Sequence, residues 1–234
     1  MEGNLLILNR RKNENGGDAG PPTARPLRAI RRAFASMKEM PNTAKANKQL
    51  VIIDTAADLI CAHGVNGMTM SQLIKGSGVS AGAIYNHFGS KNSIVTEVAR
   101  QAISWPLQAL SEFRDEARSP MQLIEFSIRA VQAAPELGDL LLQLGAGAAT
   151  DDELGRLLQA EFKPLRDALE DTMISWATQN GIPEAMMEGR SQLYVGLVLG
   201  FITQRRLISN FDEDEYLRYA QLSLEVTRQP DATV

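Results

Sequence analysis

The chain has 234 residues, 44% of them hydrophobic and 22% charged, with a formal net charge of −4 and one cysteine. That length supports one sizeable core or two modest ones, and the longest apolar run, Leu193 to Ile202 with two glycines inside it, falls short of the roughly 20 residues a bilayer span needs. The Leu5 to Leu8 patch is too short for a signal-peptide core, and a lone thiol closes no internal disulfide. Cys61 is therefore expected as a buried structural thiol in a reducing compartment, which places the chain in the cytoplasm with no membrane partner.

Charge is unevenly distributed. Residues 1–50 hold ten Lys or Arg against four Asp or Glu (+6), and the rest holds fourteen against twenty-four (−10), which together give the −4 of the whole. A basic front on an acidic body fits a nucleic-acid binder with a separate regulatory domain, and equally a soluble protein with a basic tail. Residues 1–43 read as a disordered basic tail: Asn13 to Pro22 is rich in Gly, Asn and Pro, and Arg25, Arg28, Arg31 and Arg32 have only a sparse Leu27-Ile30-Phe34 face. Three readings of it stay open: an arm that follows phosphates or enters a minor groove, an inert extension, or residues upstream of a true start at Met37 or Met40.

From Ala44 to His63 the spacing of Leu50, Ile53, Ala56, Ala57 and Ile60 predicts an amphipathic helix ended by Gly64, with His63 a turn residue. Thr69 followed by Gln72 is a capping box opening a short helix that turns Leu73 and Ile74 inward. Gly76, Ser77 and Gly78 supply a sharp corner, Ser80 caps a second short helix through Phe88, and Gly89 ends it. Ser90 caps a third helix whose first residue is Lys91. Met68 and Met70 are expected to fill the small core formed with Leu73, Val79, Ile84 and Phe88. This is helix-turn-helix grammar, and no period-two alternation argues for a strand anywhere.

The run Ser80-Ala81-Gly82-Ala83-Ile84-Tyr85-Asn86-His87-Phe88-Gly89-Ser90-Lys91, the Ile53-x-x-Ala56-Ala57-x-x-Ile60 helix, the His63-Gly64 turn and the Thr69 helix start together resemble the DNA-binding signature of the TetR family of transcriptional regulators. The resemblance covers roughly Lys45 to Trp105. It implies an all-α fold: an N-terminal three-helix helix-turn-helix domain at 44–92, then a helical ligand-binding and dimerisation domain at 93–228, with 229–234 a tail. It also implies double-stranded operator DNA, of palindromic form, as the partner of a homodimer. Thr69, Tyr85 and His87 stand where relatives touch the backbone of DNA, and Lys91 at a helix start suits a phosphate. For His87 and Tyr85 a packing role stays open. Where many relatives carry Lys or Arg and then a threonine, this chain has Ala81-Gly82-Ala83. Readout at that tip should depend on thymine methyl groups and close backbone approach, with Asn86, Gln72, Ser71 and Ser80 as the nearby polar groups, or on DNA shape.

Beyond Ser90, helices are predicted over 91–117, 120–133, 136–147, 151–180, 183–209 and 212–228, with Pro106 and Pro164 expected to kink or split the two that contain them. Asp151 to Glu153 and Asp212 to Glu215 are read as helix-start charges, not catalytic carboxylates. Gly196 and Gly200 lie four apart on the most apolar helix and would let another helix come close, inside the protomer or from a second copy. The family resemblance places Leu193, Gly196, Leu197, Gly200, Phe201, Gln204, Tyr216, Tyr219 and Leu222 in or near a symmetric contact.

The resemblance further implies a ligand enclosed by the body that shifts the helix beginning at Lys91. Candidate lining residues are Trp105, Met121, Phe126, Leu141, Phe162, Trp176 and Tyr194, which equally suit an ordinary core. So few charges point to a small lipophilic effector of unassigned identity. No cofactor or metal is expected, because no His, Cys and carboxylate group has ligand spacing. Two histidines, no phosphate-binding glycine loop and no nucleophile motif argue against an enzyme. The expected function is sequence-specific regulation of transcription, as a repressor released by its effector. The alternative is an architectural or effector-independent DNA-binding protein, and repression or activation depends on where the operator lies.

Overall fold

A computed structural model of the protein describes residues 44–116 and 118–226; the basic tail at 1–43 and the tail at 229–234 lie outside them. The elements are α1 (Ala44–Gly67), α2 (Met70–Ser77), α3 (Ala81–Phe88), α4 (Lys91–Asp115), α5 (Pro120–Ala133), α6 (Pro135–Ala148), α7 (Asp152–Gln179), a 3-10 turn (Glu184–Met187), α8 (Arg190–Leu207) and α9 (Glu213–Leu224). Among the described residues there is no strand.

Local chemistry fixes most helix starts. The first amides of a helix lack intrahelical partners, so side-chain acceptors gather there. Thr69 and Ser119 form reciprocal capping boxes with Gln72 and Gln122. Asp151 accepts from the Leu154 amide at 2.9 Å and Asp212 from the Glu215 amide at 2.8 Å, so both acidic runs open helices. Gly64, at φ 74° and ψ 168°, breaks the helical path of α1, a conformation open chiefly to glycine.

One expectation is corrected. The predicted helix over 183–209 is divided, because Gly189 adopts φ 71° and α8 starts only at Arg190. Of the kink or split expected at Pro106 and Pro164, the split does not occur: α4 and α7 each run on through the proline. These two helices make the most extensive helix-helix contact in the molecule, and that packing outweighs one missing backbone hydrogen bond per proline.

The apolar residues gather in two clusters. The front one joins Ile52, Ile60, Leu73 and Ile84 of α1 to α3 with Val98 of α4, Leu140 and Leu144 of α6, and Leu158 of α7. The rear one holds Leu110, Phe113, Ile128, Met173, Phe201 and Leu217, among others, from α4 to α9. Leu141 of α6 touches both. The helix-turn-helix head therefore shares its core with the body. Lys48–Gly67 is apolar and long enough by composition alone to cross a bilayer, but Ile52, Ile53, Ala56, Ala57 and Ile60 are buried in the front cluster, which accounts for its apolarity. Cys61 sits on the same helix, half-buried, with Sγ donating weakly to the Glu136 carbonyl at 3.9 Å.

Candidate nucleic-acid interface

The head is built by close approach and capping. Gly76 was expected to serve the corner, but it lies inside α2, and an added Cβ there would stand 2.8 Å from Thr55 Cγ2. Its missing side chain lets α2 settle on α1; Gly78 alone, at φ 67°, makes the left-handed turn. Ser80 then caps α3, its Oγ accepting from the Ala83 amide at 3.4 Å.

α3 has an inner and an outer side. Ile84 is fully buried and Phe88 packs partly against the front cluster. Ala81, Gly82, Tyr85 and Asn86 are exposed, Tyr85 to 50%, and Ala83 is half-buried. An added Cβ on Gly82 would meet nothing within 4 Å, so a surface can approach the backbone at the tip.

Around this face the structure divides the sequence candidates. Ser71 is exposed. Gln72 is half-buried, and its Oε1 accepts from both the Thr69 amide and the Thr69 hydroxyl, each at 2.8 Å; its first task is to cap α2. His87 is half-buried, 6.2 Å from the Phe88 ring, and lines a cleft of about 550 Å³ between head and body. On that cleft Arg100 of α4 clasps Glu161 of α7 through two hydrogen bonds, at 2.6 and 2.9 Å, and also pairs with Glu97. Lys91 begins α4 beside the Ser90 cap, whose Oγ accepts from the Ser93 amide at 3.0 Å. Its Nζ donates to the Asn66 carbonyl at 3.4 Å, and an ammonium retains two further donors for a phosphate. Between Ala44 and Asn92 there are four Lys, two Asp and no Arg, and of the two Asp, Asp54 is buried. Four against two leaves this stretch at a formal +2. Asn66 and Arg100 were not singled out in the sequence, since a turn Asn and a surface Arg carry no local signal of their partners.

The candidate ligand residues do not converge on one cavity. Phe126, Trp176 and Tyr194 belong to the rear cluster, Phe162 packs on the front one, and Leu141 touches both. Met121 is half-buried in α5, and the Trp105 side chain lies outside the described residues. Tyr194 is buried, with its hydroxyl bonded to Ser127 and to the Leu123 carbonyl at 3.1 Å; burial pushes its phenol up to about 12, against the smaller opposing effect of Ser127. A separate cleft of about 420 Å³ opens between α4 and α7, lined by Leu107, Leu110 and Ala168 with Ser104, Ser111 and Thr172 at its polar points.

The α8 and α9 candidates sort by exposure. Leu193, Gly196, Tyr219 and Leu222 are exposed, as are their neighbours Val195 and Leu199. Leu197, Gly200, Gln204 and Tyr216 are half-buried. Phe201 is fully buried, stacking edge-on near Phe211 and Tyr216, so it stands behind that face. The two glycines differ: an added Cβ on Gly200 would meet the Tyr216 hydroxyl at 2.7 Å, whereas on Gly196 it meets nothing.

A capped helix-turn-helix head fused to an all-helical body defines a DNA-binding regulatory protein. Residues 52–98 match the family described as bacterial regulatory proteins, tetR family. Among curated relatives, the HTH-type transcriptional repressor KstR2 of Mycolicibacterium smegmatis is 25% identical over 164 residues, 70% of this chain and 78% of its own length. The HTH-type transcriptional regulator BetI of Rhizobium meliloti is 29% identical over 133 residues, covering 52% and 62% respectively. Among solved structures, the regulator FadR from Bacillus subtilis, in complex with stearoyl-CoA, superposes with TM-score 0.63 at 18% identity, covering 75% of this chain and 96% of that one; at that identity the likeness is one of fold. Over residues 52–98 the head thus matches the tetR family, and the helical body shares its fold with solved regulators of that kind.

Proposed function

We propose that the protein is a repressor that binds a palindromic operator as a homodimer and is released by a small lipophilic effector. The observation that carries the reading is the outer side of α3, where Ala81, Gly82, Tyr85 and Asn86 stand exposed while Ile84 anchors the helix from behind. A short helix held in this way fits the major groove. Phosphates are met by Lys91, Thr69 and the Tyr85 hydroxyl. Thymine methyl groups pack on Ala81 and Ala83, and Asn86 makes the polar base contact, with Ser71 beside it. His87 and Gln72 support the head from inside. Pairing of two copies through the exposed apolar residues of α8 and α9 sets the heads about one helical turn of DNA apart.

The effector enters the body between α4 and α7, where the open cleft adjoins the rear cluster that holds Phe126, Trp176 and Tyr194. A wedge at Leu107 and Leu110 separates α4 from α7, and α4 carries that motion to Lys91. The apolar lining supports a lipophilic molecule, and KstR2 being a repressor supports the sign of regulation. Selection of bound duplexes from a random pool, followed by gel shifts, tests the reading. Tyr85→Ala and Lys91→Ala should weaken binding to the selected duplex, and Ala81→Lys should raise affinity for scrambled DNA as well. Equal affinity of the wild type for selected and scrambled duplexes would favour an architectural protein instead.

A further inference from the structure

The last turn of α1, beyond its break at Gly64, is seated on the end of α6 at three points. An added Cβ on Gly64 would stand 3.1 Å from Gln143 Oε1, and one on Gly147 would stand 2.8 Å from Val65 Cβ and Cγ2. The Asn66 amide Nδ2 donates to Thr150 Oγ1 at 3.1 Å. Gln143 and Gly147 lie four apart on one face of α6, and Thr150 follows two residues beyond its end. Val65 and Gly147 are buried, so this is a close-packed seat and not a grazing contact. The Thr150 hydroxyl gives its own proton to the Gly147 carbonyl at 3.1 Å, which leaves its lone pairs to receive Asn66.

On its other side the same asparagine meets the DNA-binding face, because its carbonyl accepts from Lys91 Nζ at 3.4 Å. Resting on the DNA-binding reading above, we infer that Asn66 is a positioning residue: pinned by Thr150, it holds the Lys91 ammonium at the place where a phosphate arrives. A free lysine must give up rotamer freedom to meet a phosphate, whereas a held one has already lost much of it. The body thus reaches the phosphate contact by two routes, through α4 and through the turn carried on α6. A change at the end of α6 alters DNA affinity even when α4 stays in place.

The experiment compares Thr150→Val, which removes the hydroxyl at nearly constant shape, with Thr150→Ser, which keeps it. The probe is a duplex selected by the wild-type protein, and affinity is read by fluorescence anisotropy across a range of potassium chloride concentrations. Thr150→Val should weaken binding about fivefold, the worth of one modest hydrogen bond. It should also reduce the slope of log affinity against log salt by about 0.9 per head, the signature of one lost phosphate contact. Thr150→Ser should restore both values. In a Lys91→Ala background Thr150→Val should add nothing, because the two act on one contact. Hydrogen exchange on the free protein checks the seat itself: amides at 65–67 should exchange faster in Thr150→Val than in wild type or Thr150→Ser.

Faster exchange with an unchanged salt slope would overturn the inference while leaving DNA binding intact. So would additive losses in the double variant, or unchanged exchange. If the wild-type chain selects no duplex, there is no slope to compare; the DNA-binding reading then fails first, and the inference with it.

Discussion

Replacing Leu222 by alanine tests whether the outer face of α8 and α9 is where two copies meet. Leu222 is 51% exposed in the protomer, and Leu193, Leu199 and Tyr219 are further exposed apolar residues of the same two helices. Full burial of a leucine is worth about 1.5–3 kcal/mol, so the half still exposed offers about 1 kcal/mol to a partner. A two-fold interface uses each residue twice, which brings the loss to about 2 kcal/mol per dimer, or roughly thirtyfold in the dimerisation constant. Sedimentation equilibrium over a wide concentration range reads that constant directly, and circular dichroism melting separates it from any loss inside the protomer. Leu157→Ala is the matched control, since Leu157 is also exposed but lies on α7; it should leave association unchanged. A wild-type chain that sediments as a monomer throughout, or a Leu222→Ala variant that associates as tightly as wild type, would refute the reasoning.

The two glycines of α8 should separate in the same assays. Gly200→Ala drives a methyl into the Tyr216 hydroxyl, 2.7 Å away, and disturbs its 2.8 Å bond to the Leu197 carbonyl, so it lowers the melting temperature. Gly196→Ala meets no atom of its own protomer; it should leave the melt intact or raise it slightly through helix propensity while weakening association. In the head, Gly76→Ala puts a methyl 2.8 Å from Thr55 Cγ2 and should destabilise by about 1–3 kcal/mol through overpacking. Adding Thr55→Ser, which deletes that methyl and keeps the hydroxyl bonded to the Val51 carbonyl, should recover much of the loss; no recovery in denaturant titrations would disprove the contact. Burial, then the nearby carboxylates of Asp139, Asp58 and Glu136, pushes the Cys61 thiol from 9.0 up to about 12, with Arg206 opposing. The folded state favours the neutral thiol, so its contribution to stability is complete below about pH 9 and declines as pH rises toward 12. Alkylation by iodoacetamide at pH 8 should therefore be far slower in the folded chain than in urea; equal rates would contradict the burial.

The sequence was most legible where structure is local. Thr69 with Gln72, Ser80, Ser90 and Gly89 marked the boundaries of the head because a cap needs one acceptor a few residues from the amide it satisfies, and that geometry is written in the spacing. Ile84 and Phe88 could be assigned inward for the same reason. Gly76 was misread because a glycine that turns the chain and one that admits a neighbour look alike until the neighbour, Thr55, is known. Gly189 ended a helix that composition would have continued toward Glu184, and Pro106 and Pro164 failed to split helices that pack along each other.

By itself, then, the sequence determined the helical class, the helix-turn-helix grammar and which side of α3 turns to the core, because all of these follow from contacts within one or two turns. Only the tertiary structure decided which distant pieces meet. It joined the head and α6 in one core, set Gln72 to capping, placed His87 on a cleft beside Arg100 and Glu161, closed Gly200 against Tyr216 and left Gly196 open. The physical reason is that a contact across 84 residues, such as Asn66 with Thr150, depends on how whole helices cross, and no spacing along the chain encodes that crossing.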